Sequence, residues 1–465
     1  MIYRRFYTGV FALLLLLCSS RVTAQETMDL EAFLNYVKAF HPLVKQADLK
    51  LTASTAKLLK SRGAFDPKIG VDYKNKRFKA TPYYENLNAT FTIPTYYGIE
   101  IQGGLQEASG NFVNPENSLS TDQLYSLGAE INLGKGLFAN ERQTALRQAK
   151  SYTQQAAEEN ALEVNAILKA ASHAFLDWYQ AHQEYVIFDR FVENAAFRFQ
   201  AVKDRFRSGD LAAIDTTEAR IAYNQRRLGR QKASLKLRQK ALKASNFLWI
   251  DDIPVEIQST VVPQLSEENF RSNFQPQQIP LELHPKIRAL SYKQEQLVFE
   301  KRLQRNNLLP EIRLGYRWLS ENNPAQQWNW ALDPDNSTTQ LKVSLPLFLR
   351  KERAAYRLAD LKAQDMDLEI ERTLVVLNNK IEALAQQSTR LQEQVWIAQE
   401  MASDYELLFR GEQKKFSAGE SSLFLVNARE SKWIEGLLKM IALETDQKKA
   451  QSAYYFELVF PVPSE

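Results

Sequence analysis

Two very long segments of the chain lack the residues that normally end a helix. Residues 142–206 contain neither proline nor glycine, and residues 353–416 contain no proline and only one glycine, Gly411. At a rise of 1.5 Å per residue, each segment would form a helix about 100 Å long. Helices of ordinary globular domains are several times shorter. The two segments therefore predict a protein built on long helical rods.

Apolar residues in both segments recur with alternating spacings of four and three. A mean period of 3.5 residues is typical of a coiled-coil seam. The predicted seam of the second segment contains Ile370, Leu374, Leu377, Ile381, Leu384, Ser388, Leu391, Val395, Ala398, Ala402, Tyr405 and Phe409. That of the first contains Val164, Leu168, Ala171, Phe175, Trp178, Tyr185, Val192, Ala196, Phe199 and Phe206. Charged residues outside the seam, Arg198 among them, are predicted to form the solvent-exposed side of the coil; the alternative is that they line a lumen or form a docking face.

The sequence is a tandem repeat. His41 and His284 lie 243 residues apart, and each directly precedes a proline. Proline is favoured at the first position of a helix, so each pair predicts a helix start capped by the histidine. The repeat divides the chain into an N-terminal segment of residues 1–24, a first repeat of residues 25–250, a linker of residues 251–283 and a second repeat of residues 284–465.

Between the short and the long helix of each repeat, polar and apolar residues alternate strictly. The clearest runs begin at Ile69, Tyr125, Ile312 and Leu341. This alternation fits barrel strands with one face toward lipid and the other toward a wet lumen, and it equally fits a half-buried sheet in a soluble sandwich. Because both flanking helices must end on the same side of a membrane, each repeat should contribute an even number of strands. The second repeat has room for two strands, and the first for two or four.

The first 24 residues have the composition of a secretory signal peptide. Arg4 and Arg5 precede a short apolar run, and residues 22–24 supply a small-residue cleavage site. The run is too short for a membrane anchor, and no other stretch is long and apolar enough for a transmembrane helix. Cys18, the only cysteine, is a candidate for lipid attachment, although Leu17 stands where a small residue is usual.

Each long segment is followed by a similar turn. Residues 205–209 read Arg-Phe-Arg-Ser-Gly, and residues 415–419 read Lys-Phe-Ser-Ala-Gly. With the His-Pro helix starts and the duplicated order of helices and strands, these turns make the chain resemble the outer-membrane efflux (TolC-like) family. The resemblance implies a mainly α fold with a membrane portion, in which three protomers share one antiparallel β-barrel and one α-helical barrel.

The same resemblance implies a role and partners. Proteins of this family are passive conduits in the outer membrane, with helices that extend into the periplasm. They work in tripartite efflux or type I secretion systems, together with a periplasmic adaptor and an inner-membrane pump. Neither the exported substrate nor the identity of the pump can be inferred from this sequence.

The resemblance also predicts functional residues at the turns. The predicted adaptor-docking residues are Arg205, Phe206, Gly209, Asp210, Lys415, Phe416, Gly419 and Glu420, and the candidate gate residues are Asp215, Glu218 and Glu430. Asp210 and Glu420 replace the leucine of the family's frequent Val-Gly-Leu turn. Asp215 matches an aspartate that holds the tip closed in some members. Phe416 and Ser421 stand at the positions of its tyrosine and arginine partners, so gating is expected to use other contacts.

The sequence does not favour an enzyme. It has neither a phosphate-binding loop motif nor an H-E-x-x-H motif, and its four histidines are widely scattered, so no metal or cofactor is predicted. The formal charge of +4 falls to +1 without residues 1–24, which carry three arginines and no acid; no nucleic-acid partner is expected. The alternative is a periplasmic coiled-coil structural or adaptor protein. An adaptor, however, should carry one helical hairpin rather than a duplicated unit.

Overall fold

A computed structural model describes residues 26–119, 121–274, 280–321 and 334–458. The predicted signal peptide and Cys18 lie outside these residues. The described helices are α1 (Leu30–Phe40), α2 (Pro42–Arg62), α3 (Glu141–Arg207), α4 (Ala213–Ser245), α5 (Glu267–Asn273), α6 (Pro285–Asn306), α7 (Arg350–Ser417) and α8 (Leu423–Leu458). The described strands are β1 (Thr27–Asp29), β2 (Lys68–Phe78), β3 (Thr81–Pro94), β4 (Ile99–Ser109), β5 (Leu124–Asn132), β6 (Trp249–Ile250), β7 (Ile253–Pro254), β8 (Val262–Gln264), β9 (Glu311–Ser320) and β10 (Ser337–Ser344).

The described residues divide into two compact units. The helical unit contains residues 26–44, 165–274 and 382–458, and the sheet unit contains the described residues of 45–164 and 280–381. Both units draw on both repeats, because α3 and α7 each contribute residues to the two units.

The two long helices predicted from the sequence are confirmed. α3 has 67 residues and α7 has 68, with ends within three residues of the predicted ones. Much of the predicted seam is buried, including Phe175 and Trp178 on α3 and Ala402 on α7. The predicted histidine caps are also confirmed, since Nδ1 of His284 accepts the Lys286 backbone N–H at 3.1 Å, and His41 caps α2 in the same way.

The segment between the repeats has more structure than the sequence indicated. β6 and β7 pair as a short hairpin, and β8 pairs in parallel with β1. Phe270 on α5 and Phe274, the residue after that helix, are buried, and the Phe274 ring contacts the rings of Tyr455 and Phe456 on α8. Residues 251–283 therefore still join the repeats, but their described part also packs against the helical unit.

The sheet unit contains one antiparallel sheet of six strands in the order β10-β9-β5-β4-β3-β2. The first repeat contributes four of these strands and the second contributes two. Of the two strand counts left open for the first repeat, the larger is therefore the one observed. Within the described residues the sheet is open, with β2 at one edge and β10 at the other.

The strand register places most of the apolar residues of all six strands on one face. Ile69 of β2 is opposite Phe91 of β3, Ile101 of β4 is opposite Ala129 of β5, and Leu314 of β9 is opposite Leu341 of β10. The other face carries the polar partners of the alternation, such as Asp72, Gln102, Glu130, Arg313 and Lys342. Many large side chains of the apolar face are exposed: Ile69, Val71, Tyr73, Phe91, Ile101, Leu127, Leu314, Leu341 and Val343.

None of the helices in the described ranges is both long enough and apolar enough to span a membrane.

Candidate docking and gating site

Each long helix ends in the same backbone motif. In the first turn the Asp210 N–H donates to the Arg205 carbonyl at 2.9 Å, and the Gly209 N–H donates to the Phe206 carbonyl at 3.1 Å. In the second turn Glu420 and Gly419 make the equivalent bonds to Lys415 and Phe416, at 2.9 and 3.1 Å. This pair of bonds is the Schellman motif, which satisfies carbonyls that a helix end would otherwise leave unpaired.

The motif explains why both turns contain glycine. Gly209 has a φ of 86° and Gly419 a φ of 79°, in the left-handed region that side chains disfavour. A Cβ placed on either glycine would meet no atom within 4 Å. The requirement for glycine at both positions is thus conformational.

The charged residues predicted for docking are all exposed. Arg205 and Asp210 are exposed in the first turn, and Lys415 and Glu420 in the second. Ser208 lies between the first pair and donates from Oγ to the Arg205 carbonyl at 3.0 Å. The two turns therefore present charges of both signs to any partner that approaches them.

The two aromatic residues of the turns differ in their surroundings. Phe206 is 44% exposed. Phe416 is half-buried and packs against two apolar clusters, one around Leu423 and one around Trp433. The first of these clusters also contains Val202 of α3 and Ala219 of α4. Helices of both hairpins, α3–α4 and α7–α8, therefore meet in one apolar cluster beside the turns.

Of the three predicted gate residues, Glu430 has the most unusual environment. It lies on α8, is fully buried, and accepts hydrogen bonds from Arg198 of α3 at 2.5 Å and Arg226 of α4 at 3.3 Å. The two arginine side chains are 15% and 9% exposed. Asn427, about one turn before Glu430, accepts from Arg198 at 2.9 Å, and Ser431, the residue after Glu430, accepts from Arg226 at 2.8 Å. This charge cluster joins three helices.

The other two candidate gate residues make weaker contacts. Asp215 lies in the first turn of α4, and its Oδ2 accepts the Ala212 N–H at 3.3 Å. Glu218, one turn later, accepts from Nδ2 of Asn427 at 3.4 Å. Glu218 is thus connected to the Glu430 cluster through Asn427, which also accepts from Arg198. Asp215 only caps its own helix.

Sequence reasoning missed the partners of Glu430. The prediction that Arg198 belongs to the solvent-exposed side of the coil is wrong, because its guanidinium group is largely buried against the Glu430 carboxylate. Arg226 was overlooked altogether. The sequence does contain a signal for Arg226, because this residue shares a helix face with Ala219, Ala222 and Ala233, all of which are buried. A charged residue on a buried face normally has a partner.

A second charge cluster joins the same three helices. Asp177 of α3 forms ion pairs with Lys240 of α4 and Lys449 of α8. Burial acts to raise the pKa of Asp177, but the hydrogen bonds from the two lysines outweigh it, and the net shift is downward. Nearby, burial lowers the pKa of His173, whose Nε2 lies 3.2 Å from the Lys449 carbonyl oxygen. α3, α4 and α8 are therefore held together at two positions.

Among the described residues, no group of three or more His, Cys, Asp or Glu side chains is arranged to hold a metal ion. An antiparallel sheet with one apolar and one polar face, combined with two long helical hairpins, is the architecture implied by the resemblance to TolC-like channels.

Comparison with known proteins supports this architecture at the level of structure. No protein-family model and no curated protein sequence matches the chain. Solved structures do match. The CmeC outer membrane channel of Campylobacter jejuni has a TM-score of 0.64 at 13% identity, with 94% of this chain and 87% of that chain covered.

Two further matches are similar in extent. CusC has a TM-score of 0.66 at 12% identity, over 92% of this chain and 91% of its own. The open state of the MtrE outer membrane channel of Neisseria gonorrhoeae has a TM-score of 0.64 at 11% identity, over 92% of this chain and 88% of its own. The resemblance to TolC-like channels is thus confirmed for the fold.

Proposed function

We propose that the protein is the outer-membrane channel of an export assembly, a non-enzymatic conduit that works as a homotrimer and needs no cofactor. The six-stranded sheet carries this proposal. A soluble protein rarely leaves so large an apolar face exposed, whereas strands facing lipid on one side and water on the other need both faces. Three open sheets joined edge to edge would close into one barrel, and closure removes the unpaired strand edges.

Localisation and conductance test this proposal directly. The chain is expressed with its N-terminal segment, outer and inner membranes are separated, and the detergent-extracted protein is sized and reconstituted into planar lipid bilayers. We expect outer-membrane recovery, a trimer and stepwise ion conductance. Recovery of a soluble monomer without conductance would contradict the proposal and favour the structural or adaptor alternative.

We propose that the two turns form the surface that docks a periplasmic adaptor linked to an inner-membrane pump. The exposed Arg205, Asp210, Lys415 and Glu420 support this, because exposed charges favour recognition and fast association. The two glycine turns place these charges at the ends of the hairpins.

A double charge reversal tests the docking surface. Asp210→Lys with Glu420→Lys should leave the trimer and its conductance intact but reduce export and photocrosslinking from Ala418 to the adaptor. Glu193→Lys with Asp446→Lys, which reverses two exposed acids on α3 and α8, is the matched control. Equal export and crosslinking in both double variants would place docking elsewhere.

We propose that the Glu430 cluster restrains opening of the conduit. A fully buried carboxylate bound by two arginines from other helices must lose at least one partner if those helices separate. Glu430→Gln should therefore raise the open-state conductance or its probability in bilayers, whereas Asp446→Asn on the exposed side of α8 should not. An unchanged conductance in Glu430→Gln would assign the cluster to stability alone.

A further inference from the structure

Three arginines line one cavity of the sheet unit, at the end of the sheet where strands and helices meet. The cavity has a volume of about 400 Å³ and lies between the start of α3 and the end of α6. Arg147 of α3 and Arg302 and Arg305 of α6 line it, together with the rings of Phe138 and Phe299. All the described residues that line this arginine cavity belong to the sheet unit, and none of them is an aspartate or a glutamate.

The positive charge of the arginine cavity is not neutralised within the protein. Arg302 and Arg305 are exposed, and none of the three arginines forms an ion pair with another residue in the described ranges. Nε of Arg147 donates to the Tyr96 hydroxyl at 2.9 Å, and its guanidinium group lies 5.7 Å from the centre of the Phe299 ring. These contacts fix the position of one guanidinium group and leave its charge without a counter-ion.

A second cavity at the same junction shows which side of the helices the arginine cavity is on. It is lined by Glu100, Glu130 and Arg313, which belong to the polar face of the sheet, and by Arg142 of α3. There the arginine has a partner, since Arg142 pairs with Glu100 at 2.5 Å. Arg142 and Arg147 are five residues apart on α3, so they point about 140° away from each other. The arginine cavity therefore lies on the side that continues the apolar face of the sheet.

Exposed apolar side chains border the arginine cavity. Phe138, which is 77% exposed, and Leu309, which is 40% exposed, both line it. Arginines beside exposed apolar side chains suit the boundary between lipid hydrocarbon and headgroups, where the charge can reach the phosphate. A guanidinium group also matches a phosphate group well, because it can donate two parallel hydrogen bonds to it.

The duplicated fold does not require these arginines. Positions 302 and 305 match positions 59 and 62, which lie 243 residues earlier, on α2. Position 147 matches position 358 of α7 when the Glu-Arg pairs near the starts of the two long helices are aligned. The matching positions carry only one arginine: they are Leu59, Arg62 and Leu358. The arginine cluster is therefore a property of one junction, and the other junction supplies a comparison for experiments.

We infer that the arginine cavity binds the phosphate headgroup of an anionic glycerophospholipid, whose acyl chains lie along the apolar face of the sheet. A headgroup with a net negative charge is favoured over a zwitterionic one, because the latter brings a further cation beside three arginines. The inference rests on the proposed function, in which the helices extend into the periplasm and this end of the sheet lies at the periplasmic leaflet. It adds one lipid with a defined headgroup at a defined position.

Lipid retention by the purified trimer tests the inference. The delipidated trimer is mixed in detergent with equal amounts of phosphatidylglycerol and phosphatidylcholine, and native mass spectrometry counts the lipids that stay bound. We expect phosphatidylglycerol to be retained several times more than phosphatidylcholine, up to one molecule per protomer. Arg302→Gln with Arg305→Gln should reduce the retention of phosphatidylglycerol several-fold.

The matched control removes the same charge from the end of the other short helix. Lys60→Gln with Arg62→Gln, which changes two exposed residues of α2, should leave most of the preference for phosphatidylglycerol. Arg302→Lys with Arg305→Lys preserves the charge and should also keep most of the preference. The bilayer conductance of the Arg302→Gln, Arg305→Gln trimer should equal that of the native trimer, so loss of folding does not explain its loss of lipid.

A further arm separates a lipid headgroup from a free anion. Inorganic phosphate in large excess should displace little of the bound phosphatidylglycerol, since it has no acyl chains to contact the apolar face. Complete displacement would overturn the inference and identify the cavity as a site for free anions.

The remaining outcomes separate this inference from the proposed function. A conducting trimer that retains both lipids equally would overturn the inference and leave the channel intact. Equal losses of phosphatidylglycerol in the two glutamine variants would overturn it as well, because the retention would then reflect general surface charge. A soluble monomer without conductance would instead overturn the proposed function.

Discussion

The two turns at the hairpin ends have the same backbone conformation but differ in how their side chains pack. Both have the same Schellman bonds and the same left-handed glycine. The returning helix α8 begins at Leu423, four residues after Gly419, and Leu423 is buried. Glu430, 11 residues after Gly419, is also buried. After Gly209, the equivalent positions of α4 are Ala213 and Arg220, and both are exposed.

This difference shows that a duplicated sequence motif fixes local geometry without fixing burial. The second turn is held to the helical unit by apolar packing and by buried charges. The first turn reaches the same apolar cluster through Leu211 but contributes no buried charge to it, and its Phe206 and Arg220 are exposed. We therefore expect substitutions in the second turn to change stability, and those in the first to change recognition.

The largest difference between the turns is expected at the position 11 residues after each glycine. Glu430→Ala leaves Arg198 and Arg226 largely buried without their counter-charge, which should cost about 3–5 kcal/mol. Arg220→Ala removes an exposed side chain and should change the free energy by less than about 0.5 kcal/mol. Hydrogen–deuterium exchange of the first turns of α4 and α8 measures the local opening free energy. Equal exchange in the two variants would contradict the comparison.

A smaller difference is expected at the aromatic residues. Truncating a fully buried phenylalanine costs about 3–5 kcal/mol, so the half-buried Phe416 should lose roughly half of that in Phe416→Ala. Phe206→Ala should cost less than about 1 kcal/mol, because nearly half of that side chain is already exposed. Thermal unfolding of the purified trimers, monitored by circular dichroism, compares the melting temperatures of Phe416→Ala and Phe206→Ala. A lower melting temperature for Phe206→Ala than for Phe416→Ala would reverse the assignment.

The smallest difference is expected at the glycines, where the two turns should respond alike. Gly209→Ala and Gly419→Ala each force a side chain into the left-handed region, at a cost of about 1–2 kcal/mol. Gly411→Ala in the interior of α7 is the control, since alanine there should gain up to about 1 kcal/mol. Thermal unfolding should show similar decreases in melting temperature for Gly209→Ala and Gly419→Ala, and an increase for Gly411→Ala. Clearly unequal losses would mean that the turns differ in their backbones as well.

The long helices, the strand alternation and the two glycine turns could all be predicted from the sequence. Each of these depends on local periodicity or on the conformational preference of one residue type, as at Gly209 and Gly419. The sequence leaves the number of strands in the first repeat open, because alternation alone does not show which runs pair. The extra pair, β3 and β4, became evident only from the register.

The interactions of the candidate site were harder to predict. Arg198, Arg226 and Glu430 are separated by 28 and 204 residues along the chain, and nothing in the local pattern links them. Charged residues on a coiled coil usually face water, so the sequence predicts Arg198 on the solvent-exposed side. The burial of Glu430 depends on how three helices pack, and that is a property of the tertiary structure.

The central claim is that the apolar face of the sheet contacts lipid and the polar face contacts water. Leu127 and Ser126 are neighbours in the middle of β5 and lie on opposite faces, since their β9 partners are Trp318 and Leu319. Leu127→Arg and Ser126→Arg introduce the same side chain on the two sides. The measurement is the urea dependence of unfolding of each trimer in lipid vesicles. We predict a loss of about 2–4 kcal/mol for Leu127→Arg and less than about 1 kcal/mol for Ser126→Arg; equal losses would contradict a lipid-facing sheet.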